Sequence, residues 1–217
     1  MPTNLPEPPE PGPLSRGERW FYALFVLCVF GLLFAEMIRD YRPVKLSMLF
    51  ISLCWFPLLV IHEGGHALMA LALGWRVLRV VIGMGRPLTR FNLGQTAVEL
   101  RVIPVEGFTL PVPRNLHRPR LKSVLIYLAG PLAELLSLGL VALAVGPAAL
   151  LHRSESVGMI AAQSFAVAVL IGVLINLIPH TAETTHGRAA NDGLGALASL
   201  AAPREHFERL LDEEQRD

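Results

Sequence analysis

Charge is scarce in this chain. Only 17% of its 217 residues are Asp, Glu, Lys or Arg, 53% are hydrophobic, and the formal net charge is +1. Without a basic excess there is no footprint for phosphate backbones, so no nucleic-acid partner is expected. Cysteine is nearly absent. Cys28 and Cys54 both lie in apolar runs, where a thiol behaves as a small hydrophobe, which argues against both a disulfide framework and a thiolate metal site. Helix formers are missing from the first residues: six of the first thirteen are proline, so residues 1–19 are expected to form a disordered, solvated leader.

What replaces charge is a series of long apolar runs. Several reach the roughly 18 to 20 residues that cross a bilayer, which disfavours a soluble protein with deeply buried helices. The first run covers 20–35, and Glu36 closes it with no small-residue cleavage pattern, so an uncleaved membrane helix is preferred over a signal peptide. Further runs cover about 46–73, 121–151 and 157–178. The expected fold is an all-α polytopic membrane protein with about four transmembrane helices. The membrane-embedded domain would cover 20–202, followed by a charged helical tail, 203–217, with Phe207, Leu210 and Leu211 at helical spacing.

Residues 74–120 contain no spanning run. There "AVELRV" (97–102) alternates apolar and charged residues and "NLGQ" precedes it, the pattern of a half-wet strand entered by a turn, so a small β-hairpin at the membrane surface is expected between spans two and three. The 74–122 segment is basic, with nine Arg and Lys against Glu99 and Glu106. The positive-inside rule puts it, and with four spans both termini, in the cytoplasm. "RDYRPVK" (39–45) falls outside in that arrangement and is more basic than the rule prefers.

The chemistry concentrates in "LLVIHEGGHALMALALGW", residues 58–75. Residues four apart on a helix share a face, so His62 and His66 can reach one ion. Neutral imidazoles suit Zn²⁺, and a catalytic zinc site has three protein ligands and a water. Glu63 stands beside the first imidazole, placed to take that water's proton. An ionisable side chain in a spanning helix costs about 2.5 to 3.5 kcal/mol on insertion scales, and three in five residues call for a shared partner. Gly64 and Gly65 weaken the helix but leave room for a backbone to approach. The third ligand must come from elsewhere. Asp192, Glu183, His180 and His186, all in 176–197, are each chemically capable. Pro179 ends a helix there and "NDG" can open another.

With "HEGGH", "GMGRPLTR", "VEGF", "AGPLAE" and "NLIP…NDG" following one another over about 55–197, the chain resembles the site-2 protease family, intramembrane zinc metalloproteases of the M50 clan. That resemblance implies one zinc ion held by His62, His66 and Asp192, with Glu63 as general base and Asn176 near the substrate, on a three-span catalytic core to which this chain adds one N-terminal span. It also implies hydrolysis of a peptide bond in or beside another protein's transmembrane segment, in a bacterial inner membrane. Such substrates include anti-sigma factors and membrane-tethered transcription regulators. Two features depart from the family pattern. Twelve residues, 180–191, separate Pro179 from Asp192 where the family has four, and Glu134 stands where asparagine is common. Glu134 reads most simply as a carboxylate facing a polar cavity with no catalytic duty. Physically, a helical substrate must unwind before its carbonyls are accessible, and an exposed edge in the 79–110 region could capture it by strand addition. Asn176 would then donate to the substrate backbone or a developing oxyanion. The rival readings are a membrane metal transporter and a catalytically silent scaffold.

Overall fold

The computed structural model describes residues 16–184 and 187–216. Helix α1 (Arg16–Arg39) contains the first apolar run and begins four residues inside the expected leader. A short 3₁₀ turn, Pro43–Lys45, leads into α2 (Leu46–Ala72), and Lys45 Nζ reaches back to Glu36 Oε1 at 2.7 Å. At 1.5 Å per residue the 27 residues of α2 extend about 40 Å. Pro57 lies inside α2. A proline removes one intrahelical donor, which packed membrane helices tolerate.

Strands β1 (Arg76–Leu93) and β2 (Thr96–Val112) follow, then α3 (Pro119–Val145), α4 (Pro147–Leu151) and α5 (Val157–Leu177). Strands β3 (Thr181–Thr184) and β4 (Gly187–Ala190) precede α6 (Asp192–Ala201) and α7 (Arg204–Arg216). Among the described residues, three helices are long and apolar enough to cross a membrane, within Pro43–Ala72, Pro119–Val145 and Val157–Leu177. This is one fewer than the sequence suggested. The third run also stops early, at Val145 rather than 151. Gly146 adopts φ 86° and Pro147 follows, a pairing that ends a helix sharply.

The sheet is larger than a simple hairpin. Its turn falls where "NLGQ" placed it, at Gly94 with φ 64°, and Leu93 pairs with Thr96. Both strands then run on, bent by register shifts. Residues Arg79 to Ile82 find partners on two sides, Leu110 to Gly107 and Ala97 to Leu100. The alternation at 97–102 buries Glu99 and Arg101, not apolar side chains. Glu99 accepts from Arg79 and from Arg101, at 3.1 Å for Nη2 of the latter. Burial would raise the Glu99 carboxyl, but these guanidiniums outweigh it and hold the group below its ordinary value.

Two apolar clusters anchor the architecture. Leu58 of α2 packs with Ala168, Val169 and Val173 of α5 inside the helical bundle. Trp75, Val77, Val80 and Ile82 close over Ala70 and Ile126. Phe207 of α7 is 1% exposed and meets Trp75 edge-on, ring centroids 6.5 Å apart. The charged tail is thus a helix docked by its apolar stripe onto the sheet.

Candidate metal centre

The i,i+4 spacing on α2 turns both imidazoles inward, where they are buried. Their rings are 4.6 Å apart and nearly perpendicular. Each is tied by the same atom. His62 Nδ1 lies 3.0 Å from Glu134 Oε1 and His66 Nδ1 lies 2.6 Å from the Ile126 carbonyl, both partners belonging to α3. The Nε2 atoms therefore point at a common place, 3.0 Å from each other.

Asp192 completes the group from the first turn of α6. Its Oδ2 is 2.9 Å from His62 Nε2 and its Oδ1 3.3 Å from His66 Nε2. The eight residues beyond the family's four do not displace it, because strands β3 and β4 pair antiparallel and Asn191 N bonds His180 O at 3.1 Å. The chain thus returns to where it left. Asn191 then fastens the junction. Its amide donates to the carbonyls of Ile175 (2.9 Å) and Ile178 (2.7 Å) at the end of α5, while its Oδ1 accepts from Leu194 N as the N-cap of α6. Ser123 of α3 and Ser199 of α6 bond at 2.8 Å, docking the new helix. A carboxylate in the first turn is favoured by the helix dipole. Burial would raise the Asp192 carboxyl, but the adjacent imidazoles hold it below its ordinary value.

Close packing of α2 on α3 makes this convergence possible. A Cβ on Gly65 would stand 2.6 Å from the Ala129 carbonyl, and one on Gly130 would stand 2.8 Å from His62 Nε2 and press on His66 Nε2. Gly65 gives the close approach that its sequence suggested; Gly64 faces open space.

Glu63 points toward the sheet. Thr109 donates its hydroxyl to Glu63 Oε2 at 2.8 Å, and the hydroxyl lies 3.2 Å from the Glu63 carbonyl. A Cβ on Gly107 would meet Oε1 at 2.7 Å. Thr109 carries no sequence signal for this role; "VEGF" just before it marks only the place where β2 passes the carboxylate.

Of the third-ligand candidates, Asp192 joins the imidazoles. Exposed His180 is occupied instead with the Ile178 carbonyl and Asn191. His186 and the Glu183 side chain lie outside the described positions. Asn176 sits half-buried in the last turn of α5, and among the described residues no hydrogen bond ties it to the group. Glu134 does not merely face a cavity: it is 4% exposed and bonded to His62.

The donor set fits a zinc ion. Among the described residues, His62, His66 and Asp192 are the group whose ligand atoms could hold a metal, all within 4.8 Å of one another. Asp192 Oδ2 is buried 2.9 Å from His62 Nε2, and among the described residues no donor outside this group reaches it. Two imidazole nitrogens and a carboxylate crowded within 3.3 Å of one another in a buried place are a donor set that a divalent cation would hold together.

The sequence profile of peptidase family M50 matches residues 50–205. The chain is also 36% identical over 92 residues to a probable membrane metalloprotease, ARASP2, chloroplastic, of Arabidopsis thaliana. That match takes in 36% of this chain and 21% of the relative, so the chain spans about a fifth of the length of the curated relative it matches. With most of its length, His62, His66 and Asp192 included, inside the profile match, the chain is a member of peptidase family M50.

Proposed function

We propose that the chain is an intramembrane zinc metalloprotease of site-2 type, which cuts a peptide bond in or near a transmembrane segment of another membrane protein. Its three apolar helices and its family make it an integral membrane protein. The observation that carries the reading is the convergence of His62 Nε2, His66 Nε2 and Asp192 beside a buried Glu63.

His62, His66 and Asp192 would hold the ion. Bound there, zinc would polarise the scissile carbonyl and acidify a water. The rest falls to the chain's own groups. Glu63 accepts the attacking water's proton on a carboxylate that Thr109 holds still, and returns it to the leaving amine. Gly107, lacking a side chain, lets β2 pass close to Glu63. An unwound substrate segment can pair with the sheet there, its backbone held extended at the point of attack. Asn176 supplies an amide donor to the substrate backbone. A dry, helix-lined setting keeps these polar contacts strong.

Helix α1 is the fourth span in this reading, with both termini cytoplasmic and the chain in a bacterial inner membrane. Substrates would be membrane-tethered regulators, anti-sigma factors among them. Replacing Glu63 by Gln while measuring zinc content and cleavage of a co-expressed membrane substrate tests the proposal. Retained zinc with lost cleavage is expected. Altered metal uptake without a cleaved product would point to transport, and unchanged cleavage would remove Glu63 from the chemistry.

A further inference from the structure

We infer that Glu134 is a positioning residue for the metal: it fixes His62 in the tautomer that exposes Nε2, and its charge strengthens that nitrogen as a ligand. The inference rests on the reading of His62, His66 and Asp192 as a metal site and adds to it a residue that touches none of the reacting atoms.

The two imidazoles are oriented by chemically different partners. His66 Nδ1 faces a neutral backbone carbonyl, Ile126, whereas His62 Nδ1 faces a carboxylate, Glu134 Oε1, at 3.0 Å. Either acceptor fixes the ring; only the carboxylate also draws on the Nδ1 proton and so raises the electron density at Nε2. Glu134 has little else to do. Its Oε2 is buried with no hydrogen-bond partner among the described residues, and it lies against Gly172 of α5, where a Cβ would stand 3.2 Å away. A buried carboxylate is costly unless a positive charge answers it. Among the described residues its one ion-pair contact is His62, so the compensating charge is that of an imidazole carrying a cation on its far nitrogen. An amide at this position could orient the ring but could not supply that electrostatic match.

The test uses the purified full chain in detergent, with Glu134→Gln, which keeps the acceptor and loses the charge, and Glu134→Leu, which loses both. Zinc affinity is measured by chelator competition, ligand field by the visible absorption of the cobalt-loaded protein, and folding by thermal unfolding of the metal-free forms. Zinc should bind about 10-fold more weakly to the Gln variant and about 100-fold more weakly to the Leu variant. The cobalt bands should move in both, with the metal-free Gln variant unfolding at the parent's temperature. A merely structural hydrogen bond would leave the cobalt bands of the Gln variant in place. If that variant binds zinc within about twofold of the parent with an unchanged spectrum, the inference is overturned. Should the Leu variant fail to fold, the Gln variant alone decides. A parent that binds no zinc would overturn the metal reading itself, a different outcome from a zinc-binding parent matched by its variants.

Discussion

Replacing Gly130 by alanine adds one methyl group at the place where the two imidazoles meet. The new carbon would stand 2.8 Å from His62 Nε2, and ordinary contact begins at 3.4 Å, so the ring would have to retreat by about 0.6 Å, three times the roughly 0.2 Å latitude of a metal–ligand bond. His66 Nε2 is pressed harder still. Neither ring can yield freely, since each is tied through Nδ1 to α3, the helix that carries the added methyl. Zinc affinity should therefore fall at least about 100-fold, equivalent to about 2.7 kcal/mol. Gly139→Ala is the control. It lies in the same helix with nothing within 4 Å of its Cβ, and alanine is the better helix former by about 1 kcal/mol. Zinc titration of both variants in detergent, with thermal unfolding alongside, is the assay. Parent-like zinc affinity in the Gly130 variant would refute the reasoning, because it would mean that the ion binds somewhere other than between these imidazoles.

Three further perturbations probe the supports of the site. Thr109→Val removes the donor to Glu63, and a hydrogen bond to a charged group contributes about 1.5 to 3 kcal/mol; kcat should fall about 10- to 100-fold with zinc content unchanged, while Thr109→Ser keeps most of the activity. Asn191→Ala deletes both the N-cap of α6 and the ties to α5; it should cost about 1 to 2 kcal/mol in thermal or denaturant unfolding and weaken zinc binding through Asp192. Glu99→Gln leaves Arg101 buried without its counter-charge, which should cost about 3 to 5 kcal/mol at neutral pH. Because the folded Glu99 sits below the ordinary value of 4.5, the parent's advantage over this variant should be complete above that pH. It should then shrink as the pH falls through the folded value, and parallel unfolding curves at every pH would contradict the assignment.

The parts of this site that lie close together along the chain are legible in the sequence. His62, Glu63 and His66 fall within five residues and one helical face, and their burial in an apolar run could be read directly. Asp192 could be singled out only through the family resemblance, since composition left Glu183, His180 and His186 equally capable. Antiparallel pairing of β3 with β4 is what neutralises the eight extra residues, and no strong turn signal in "TAETTHGRAA" announces it. Glu134 and Thr109 were harder. They lie 72 and 46 residues from the groups they hold, and no periodicity within a helix or strand encodes which helix will face which. The sheet illustrates the opposite error. Alternation at 97–102 does mark a strand, but its charged face turns inward, because Glu99 and the arginines around it satisfy one another.

The most direct measurement is X-ray absorption at the zinc edge on the purified full chain. One zinc per chain is expected, surrounded only by nitrogen and oxygen at about 2.0 to 2.2 Å, with His62→Ala and His66→Ala each losing either the zinc or one imidazole from its shell. A chain free of zinc, or one whose zinc shell contains sulfur or survives both substitutions, would contradict a metal centre built from His62, His66 and Asp192.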